Sequence, residues 1–178
     1  LNKLENKEDV KVILGELEDS VINEIDMMVL SPGIAIDAPF VLRVKEAGVP
    51  IWGEIELAYV IGKGKLAAIT GTNGKTTTTA LVGEIMANYY DKVDVVGNIG
   101  NPYTTTAFDS TDDTVTVAEI SSFQLETIHA FKPDVSAVLN ITPDHLNRHY
   151  TMECYTDVKM SIAKNKDSNQ PIVLNYED

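Results

Sequence analysis

The chain is poor in cysteine, poor in basic residues and free of long apolar runs, and each shortage excludes something. Cys154 is the only cysteine among 178 residues, so no disulfide can form within the chain and a reducing, cytoplasmic compartment is the expectation. Lys and Arg number 14 against 27 Asp and Glu, a formal charge of −13. A surface this acidic argues against non-specific binding to nucleic acid or anionic membrane, where basic patches supply most of the affinity. It leaves room for a small anionic ligand held by backbone N–H groups, a lysine and a metal ion. No apolar run approaches the roughly 18 residues that a spanning helix needs, and no secretory leader is legible. There is no internal repeat and no low-complexity tract beyond one run of threonines. Cys154 itself, in "MECYTD", reads as a half-buried helix residue without a catalytic role.

Short apolar runs alternate with helical patterns along the whole chain. "VKVILG" (10–15), "MMVLSPG" (27–33), "LAAITG" (66–71), "VDVVGN" (93–98), "VTVAEIS" (115–121), "VSAVLNIT" (135–142) and "PIVLNY" (171–176) read as strands. They are rich in Val and Ile and mostly lack alternation, as strands covered on both faces do. Between them, "APFVLRVKEAG" with Gly48 as a stop, "KTTTTALVGEIMANYY" and "MECYTDVKMSIAKNK" read as helices. The alternation predicts an α/β fold with a doubly wound, mostly parallel sheet, in which ligands collect at the carboxyl ends of the strands. A boundary is expected at "VIGKGKL" (60–66). Residues 1–63 hold too few strands for a complete Rossmann-like unit, whereas 64–178 carry four or five.

The unusual residues sit at strand ends. "TGTNGKTTT" (70–78) places a glycine turn between a buried strand and a helix, so that free N–H groups and the helix dipole converge on one point. Lys75 can reach the β- and γ-phosphates of a nucleotide, and the Thr76 hydroxyl can ligate Mg²⁺. The loop is shorter than the usual G-x-x-x-x-G-K-[ST], with Ile69 where the first glycine would stand. Gly71, Thr72, Asn73, Gly74, Lys75, Thr76 and Thr77 are the expected ATP-binding residues. Four threonines are poor helix formers, so local propensity does not account for them. Glu119, after "VTVA", is placed to ligate Mg²⁺ beside the phosphates; taken alone it reads equally well as a solvated loop carboxylate. "VLNITPDHLNRHY" (138–150) presents Asn140, Thr142, Asp144, His145, Arg148 and His149 at another strand end. His145 is the choice there for a metal or phosphate contact, and His149 is left as a surface residue. The helical spacing of Lys159, Ile162 and Lys166 puts them on one face, and by pattern alone Lys159 is a solvated surface lysine. In "VVGNIGNPY" (95–103), glycines allow a ligand to approach and Asn98 offers both donor and acceptor. "LSPGIA" (30–35), with Ser31, Pro32 and Gly33, has the same character.

Together, "TGTNGKTTT", "GNIG", "AEISSFQLE", "NITPDHLNRH" and the lysine of "YTDVKM" resemble, in order and spacing, the Mur ligases, ATP-dependent enzymes that add amino acids to the peptidoglycan precursor. "SPGI", "GNIG" and "EISSFQLE" look most like the branch that joins D-glutamate to UDP-N-acetylmuramoyl-L-alanine. The resemblance runs over roughly 27–176. It implies a UDP-binding first domain, of which 1–63 would be the later part. It also implies a central ATP-binding domain, of which 64–178 would be the first part, and a third domain that lies outside this sequence. The chain is accordingly expected to be a fragment of a monomeric enzyme, binding nucleotide without turnover by itself.

The resemblance also implies roles. Thr76 and Glu119 would ligate one Mg²⁺, and His145 and Lys159 the site of a second, with Lys159 N-carbamylated and so reversed in charge. Lys75, His145 and Lys159 would be the catalytic residues. Asn98, Ser121 and Gln124 would hold the sugar nucleotide, and Gly33 would lie near its uracil. Asn147 departs from the Asp that many relatives carry after "HL". From another class, a nucleotide-binding P-loop module or a hydrolysing NTPase remains the alternative, as does another Mur or folylpolyglutamate-type ligase. Glu119, His145 and Lys159 together argue against the first two, because a simple nucleotide binder needs no such set.

Overall fold

The computed structural model describes residues 10–177. Helix α1 (Asp19–Ile22), strand β1 (Met28–Leu30), helix α2 (Pro39–Glu46) and strand β2 (Ile51–Gly53) come first, and β1 and β2 pair in parallel as a two-stranded sheet. Proline at the first position of α2 suits a helix start, where its missing N–H is not needed. The helix stops where Gly48 takes φ +77, with Gly48 N–H bonded to Lys45 O and Val49 N–H to Val44 O. This is a Schellman stop, which a glycine adopts without the strain a Cβ would bring.

Helix α3 (Glu54–Ile61) leads into strand β3 (Lys65–Thr70), helix α4 (Lys75–Met86), strand β4 (Val93–Gly97), helix α5 (Tyr103–Ala107) and strand β5 (Val115–Glu119). Helix α6 (Ser122–Leu125), strand β6 (Val135–Val138), helices α7 (Leu146–His149) and α8 (Met152–Met160), a 3₁₀ turn (Ser161–Ala163) and strand β7 (Ile172–Leu174) complete it. The second sheet has the order β4-β5-β3-β6-β7, and every pair in it is parallel. Apolar side chains fill both of its faces. Ile55, Ala58, Tyr103, Ala107 and Phe131 pack with Leu66, Ala68 and Val96 on one, and Val82 and Met86 pack with Ile69, Val115 and Val117 on the other. All five residues of β5 are buried, as expected of a strand covered on both sides. The fold is thus α/β with a doubly wound parallel sheet, behind a smaller Rossmann-like piece.

Two expectations need correction, and two elements had none. "VKVILG" forms no strand: 10–15 is irregular and largely exposed, with Leu14 at 91%, because β-rich residues make a strand only against a neighbouring strand. Strand β2 and helix α3 went unread, since "IWGEIELAYVIG" passes from one to the other with only Gly53 between them. Cys154 is exposed, not half-buried.

The strand order fixes where function can sit. From β3 the chain goes one way to β4 and β5 and later the other way to β6, so the loop after β3 lies between the loops after β5 and β6. At such a reversal the loops part and leave a crevice at the strands' carboxyl ends.

Candidate nucleotide and metal site

The loop after β3 is held from the side by the loop after β6. Thr72 N–H donates to Asn140 O (2.8 Å) and Asn73 N–H to Asn140 Oδ1 (2.8 Å), while Asn140 Nδ2 donates back to Asn73 O (3.0 Å). The Thr72 hydroxyl accepts from Thr142 N–H (3.0 Å) and lies 3.2 Å from the Tyr155 hydroxyl. Gly74 then enters α4 with φ +79 and no side-chain cap. Helices usually cap that position with Ser, Thr, Asp or Asn. Here the first N–H groups, with no carbonyl upstream to bond, fan out over the loop. Lys75 curls over it, its Nζ donating to Thr72 O (2.8 Å).

Beside the loop, Glu119 ends strand β5, the neighbour of the central strand β3, and is 1% exposed. One carboxylate oxygen accepts from the Thr76 hydroxyl (2.8 Å), the other from Asn98 Nδ2 (2.8 Å). Of the two readings open for Glu119, the solvated one fails. Among the described residues no lysine, arginine or histidine forms an ion pair with it, so a buried carboxylate meets only neutral donors. Gly97 makes this contact possible: at φ +106, a Cβ there would stand 2.2 Å from Glu119 O. The close approach that Gly97 serves is therefore to the neighbouring strand.

Lys159 is the larger departure from local pattern. It is 2% exposed, donates to Gly71 O (2.8 Å) and sits 4.7 Å from the Tyr155 ring. Burial, reinforced by the nearby charge of Lys75 and opposed by Asp144, lowers its pKa from 10.5 to about 8. His145 stands at the exposed rim, in the left-handed region (φ 51), 3.4 Å from Asp144 and 4.9 Å from the Phe123 ring. Between His145 and Lys159 run the rings of Phe123, His149 and Tyr155, at successive centroid distances of 4.9, 5.5 and 5.2 Å. His149 is buried, not superficial. Its Nε2 lies 2.9 Å from Ser122 Oγ and its Nδ1 3.6 Å from Glu126, and burial lowers its pKa. Among the described residues no three His, Cys, Asp or Glu side chains are already gathered around an ion position.

Ser121 and Gln124 engage each other. They form a capping box at the start of α6, with Ser121 Oγ accepting from Gln124 N–H and Gln124 Oε1 accepting from Ser121 N–H (2.9 Å). The signal S-x-x-Q was readable in "SSFQ". Gln124 also lines a narrow cleft with Ser31, Pro32, Phe123 and Arg148, next to Gly33. Nothing lies within 4 Å of where a Gly33 Cβ would be, so the fold does not demand a glycine there. Thr77 is exposed on the first turn of α4. The reading missed Tyr155 and Glu126. Tyr155 could have been found one helical turn before Lys159, whereas nothing local marks Glu126.

A family model described as Mur ligase middle domain matches residues 69–178, and one described as the Mur ligase MurD-like N-terminal domain matches 1–53. UDP-N-acetylmuramoylalanine–D-glutamate ligase of Lachnospira eligens is 60% identical over 168 residues, which cover 94% of this chain and 37% of that protein. The protein of the same name from Clostridioides difficile is 50% identical over 179 residues, covering 100% of this chain and 40% of its own length. The chain thus spans about two fifths of the length of the curated relatives it matches. Among solved structures, MurF ligase from Thermotoga maritima in complex with ADP aligns with a TM-score of 0.55 at 20% identity, over 88% of this chain and 45% of that one; at that identity the likeness is one of fold. Since the middle-domain match alone spans more than half of the chain, and takes in the glycine loop together with the loops after β5 and β6, the chain belongs to the Mur ligase family.

Proposed function

We propose that residues 64–178 begin the ATP-binding domain, and 1–63 end the UDP-binding domain, of an enzyme that joins D-glutamate to UDP-N-acetylmuramoyl-L-alanine. The observation that carries this is the uncapped start of α4 at Gly74 with Lys75 beside it, adjoining a buried Glu119 that no cation among the described residues pairs with. The relatives at 60% and 50% identity supply the substrates by their names. Backbone N–H groups at the start of α4, 74–77, and Lys75 hold the triphosphate, while those of Thr72 and Asn73 are engaged by Asn140. Thr76 and Glu119 suit one Mg²⁺, whose charge would offset the repulsion between triphosphate and substrate carboxylate. His145 and Lys159 would hold a second, once the ring-lined gap between them is closed. A lysine whose pKa falls to about 8 has far more free amine near neutrality than a surface lysine. That amine can add CO₂, releasing a proton, to become an anionic carbamate ligand. Asn98, Ser121 and Gln124 face the sugar nucleotide, and the loop around Gly33 its base.

In the reaction, a carboxylate oxygen of the muramoyl-alanine attacks the γ-phosphorus, and the bond to the β-phosphate oxygen breaks. The acyl phosphate formed is attacked by the amine of D-glutamate, an amide results and inorganic phosphate leaves. Lys75 neutralises charge during the first step and positions the phosphoryl group.

The test is phosphate release by the full-length ligase that carries this sequence, given ATP, Mg²⁺ and the sugar nucleotide, with and without D-glutamate. Release should depend on D-glutamate, and Lys75→Ala should lower kcat/KM by on the order of a hundredfold or more. Wild-type enzyme that hydrolyses ATP equally well without either substrate would overturn the ligase reading.

A further inference from the structure

Helix α7 does more than carry His145 to the rim. It has only four residues, yet it is flanked by two non-glycine residues in left-handed conformations, His145 (φ 51) and Tyr150 (φ 65). A bulky side chain is held there only when its surroundings compensate the strain. The surroundings are specific. Arg148 Nε donates to Glu126 Oε1 (3.3 Å), its terminal nitrogen binds the other carboxylate oxygen, and the guanidinium lies 4.5 Å over the Phe123 ring. The same terminal nitrogen donates to Ile34 O (3.0 Å), and the Tyr150 hydroxyl donates to Asp37 Oδ2 (2.8 Å). Ile34 and Asp37 belong to the loop between β1 and α2, more than a hundred residues earlier.

We propose that Arg148 and Tyr150 form a strap that holds the 31–37 loop at a fixed distance from the glycine loop. Arg148 is then a positioning residue for the nucleotide-sugar substrate, which on the function proposed above must reach from one loop to the other. The first sheet and α3 are tied to the rest elsewhere too: Gly53 N–H approaches Thr127 O (3.4 Å), His129 Nε2 lies 2.9 Å from Ile51 O, and the Glu54 carboxylate accepts from Thr104 N–H (2.7 Å). The strap is what reaches the loop after β1 itself, at Ile34 and Asp37, where a substrate would lie. Its chemistry requires arginine: a fork onto both oxygens of Glu126, a flat face on Phe123 and a further N–H for Ile34 exceed what a lysine ammonium can satisfy at once. His149 pins α7 to α6 separately through Ser122, so the helix keeps that anchor when the arginine is removed, although the Glu126 pair is lost together with the reach to the loop.

The experiment uses the full-length ligase with Arg148→Met, Arg148→Lys and Tyr150→Phe. Steady-state kinetics, ATP affinity, melting temperature and amide hydrogen exchange over 31–38 are measured for each. Arg148→Met should raise KM for the sugar nucleotide on the order of tenfold while leaving ATP affinity within about twofold, and exchange over 31–38 should accelerate. Arg148→Lys should restore only a minor part, and Tyr150→Phe should shift both readouts the same way by less. An unchanged KM with unchanged exchange overturns the strap. Equal losses toward both ligands with a lowered melting temperature overturn it too, since they mark general loosening. If the wild-type enzyme proves not to use a sugar nucleotide, the function above fails, and hydrogen exchange over 31–38 still decides the strap.

Discussion

Replacing Lys159 with methionine tests the electrostatics of the site most directly. The side chain is 2% exposed, and its ammonium meets one carbonyl and the Tyr155 ring, with Lys75 adding repulsion. A pKa lowered from 10.5 to about 8 means that the folded protein holds this proton less tightly than the unfolded chain does. Below pH 8 both states are protonated and the folded state bears the whole cost of the buried cation, about 3 kcal/mol. Between pH 8 and 10.5 only the unfolded chain keeps the proton, so stability rises with pH by up to about 1.4 kcal/mol per pH unit. Methionine keeps the apolar stem and removes the charge, losing a hydrogen bond worth about 1 kcal/mol and a modest contact with the ring. Lys159→Met should therefore be more stable than wild type by about 1–2 kcal/mol at pH 7. The advantage should shrink or reverse by pH 9.5. Urea unfolding in CO₂-free buffer, with equal m-values for the two proteins, measures the difference. A gap that does not change between pH 7 and pH 9.5, or a wild type already the more stable at pH 7, would refute the reasoning. Adding bicarbonate at pH 8 should stabilise wild type alone, since only it can form the carbamate.

Two further outcomes follow from the packing. Burial depresses the His149 pKa, so the unfolded chain takes up a proton that the folded one resists, and stability falls as pH drops below about 6.5. Urea midpoints at pH 7.5 and 5.0 should show a smaller acid loss for His149→Phe than for wild type, and parallel losses would count against a buried neutral imidazole. Gly97→Ala puts a Cβ 2.2 Å from Glu119 O at φ +106. It should destabilise the chain by about 2–4 kcal/mol, while Gly33→Ala stays within about 0.5 kcal/mol; similar midpoints for the two variants would show that the approach of β4 to β5 is not needed.

What could be read from the sequence was whatever depends on near neighbours. A Val- and Ile-rich run, a glycine turn and a following Lys-Thr specify a strand, a left-handed residue and a helix start within about fifteen positions. The loop 70–78 was therefore visible as a strand, a glycine turn and a helix start, and so was the strand end that carries Glu119. Gly48 announced the end of α2 for the same reason. Where the local signal was ambiguous the reading failed: β-rich residues at 10–15 have no partner strand, and Gly53 marks the passage from β2 to α3 too weakly.

The tertiary structure alone decided burial and charge. Lys159 and His149 look like solvated residues because little within a turn of them hides them, Tyr155 beside Lys159 apart; α6 and the glycine loop, far off in sequence, do so. Glu119 could have been a surface carboxylate until the parallel register set Gly97 on one side of it and Ile69 on the other, closing off water and leaving the Thr76 hydroxyl and the Asn98 amide as its partners. Arg148 reaches Ile34 across 114 positions, a distance no pattern spans. Hydrogen-bonding and backbone preferences act over a few residues and are written in order along the chain. Desolvation and Coulomb energy depend on what the fold brings close, and that is set only when both sheets and their loops are in place.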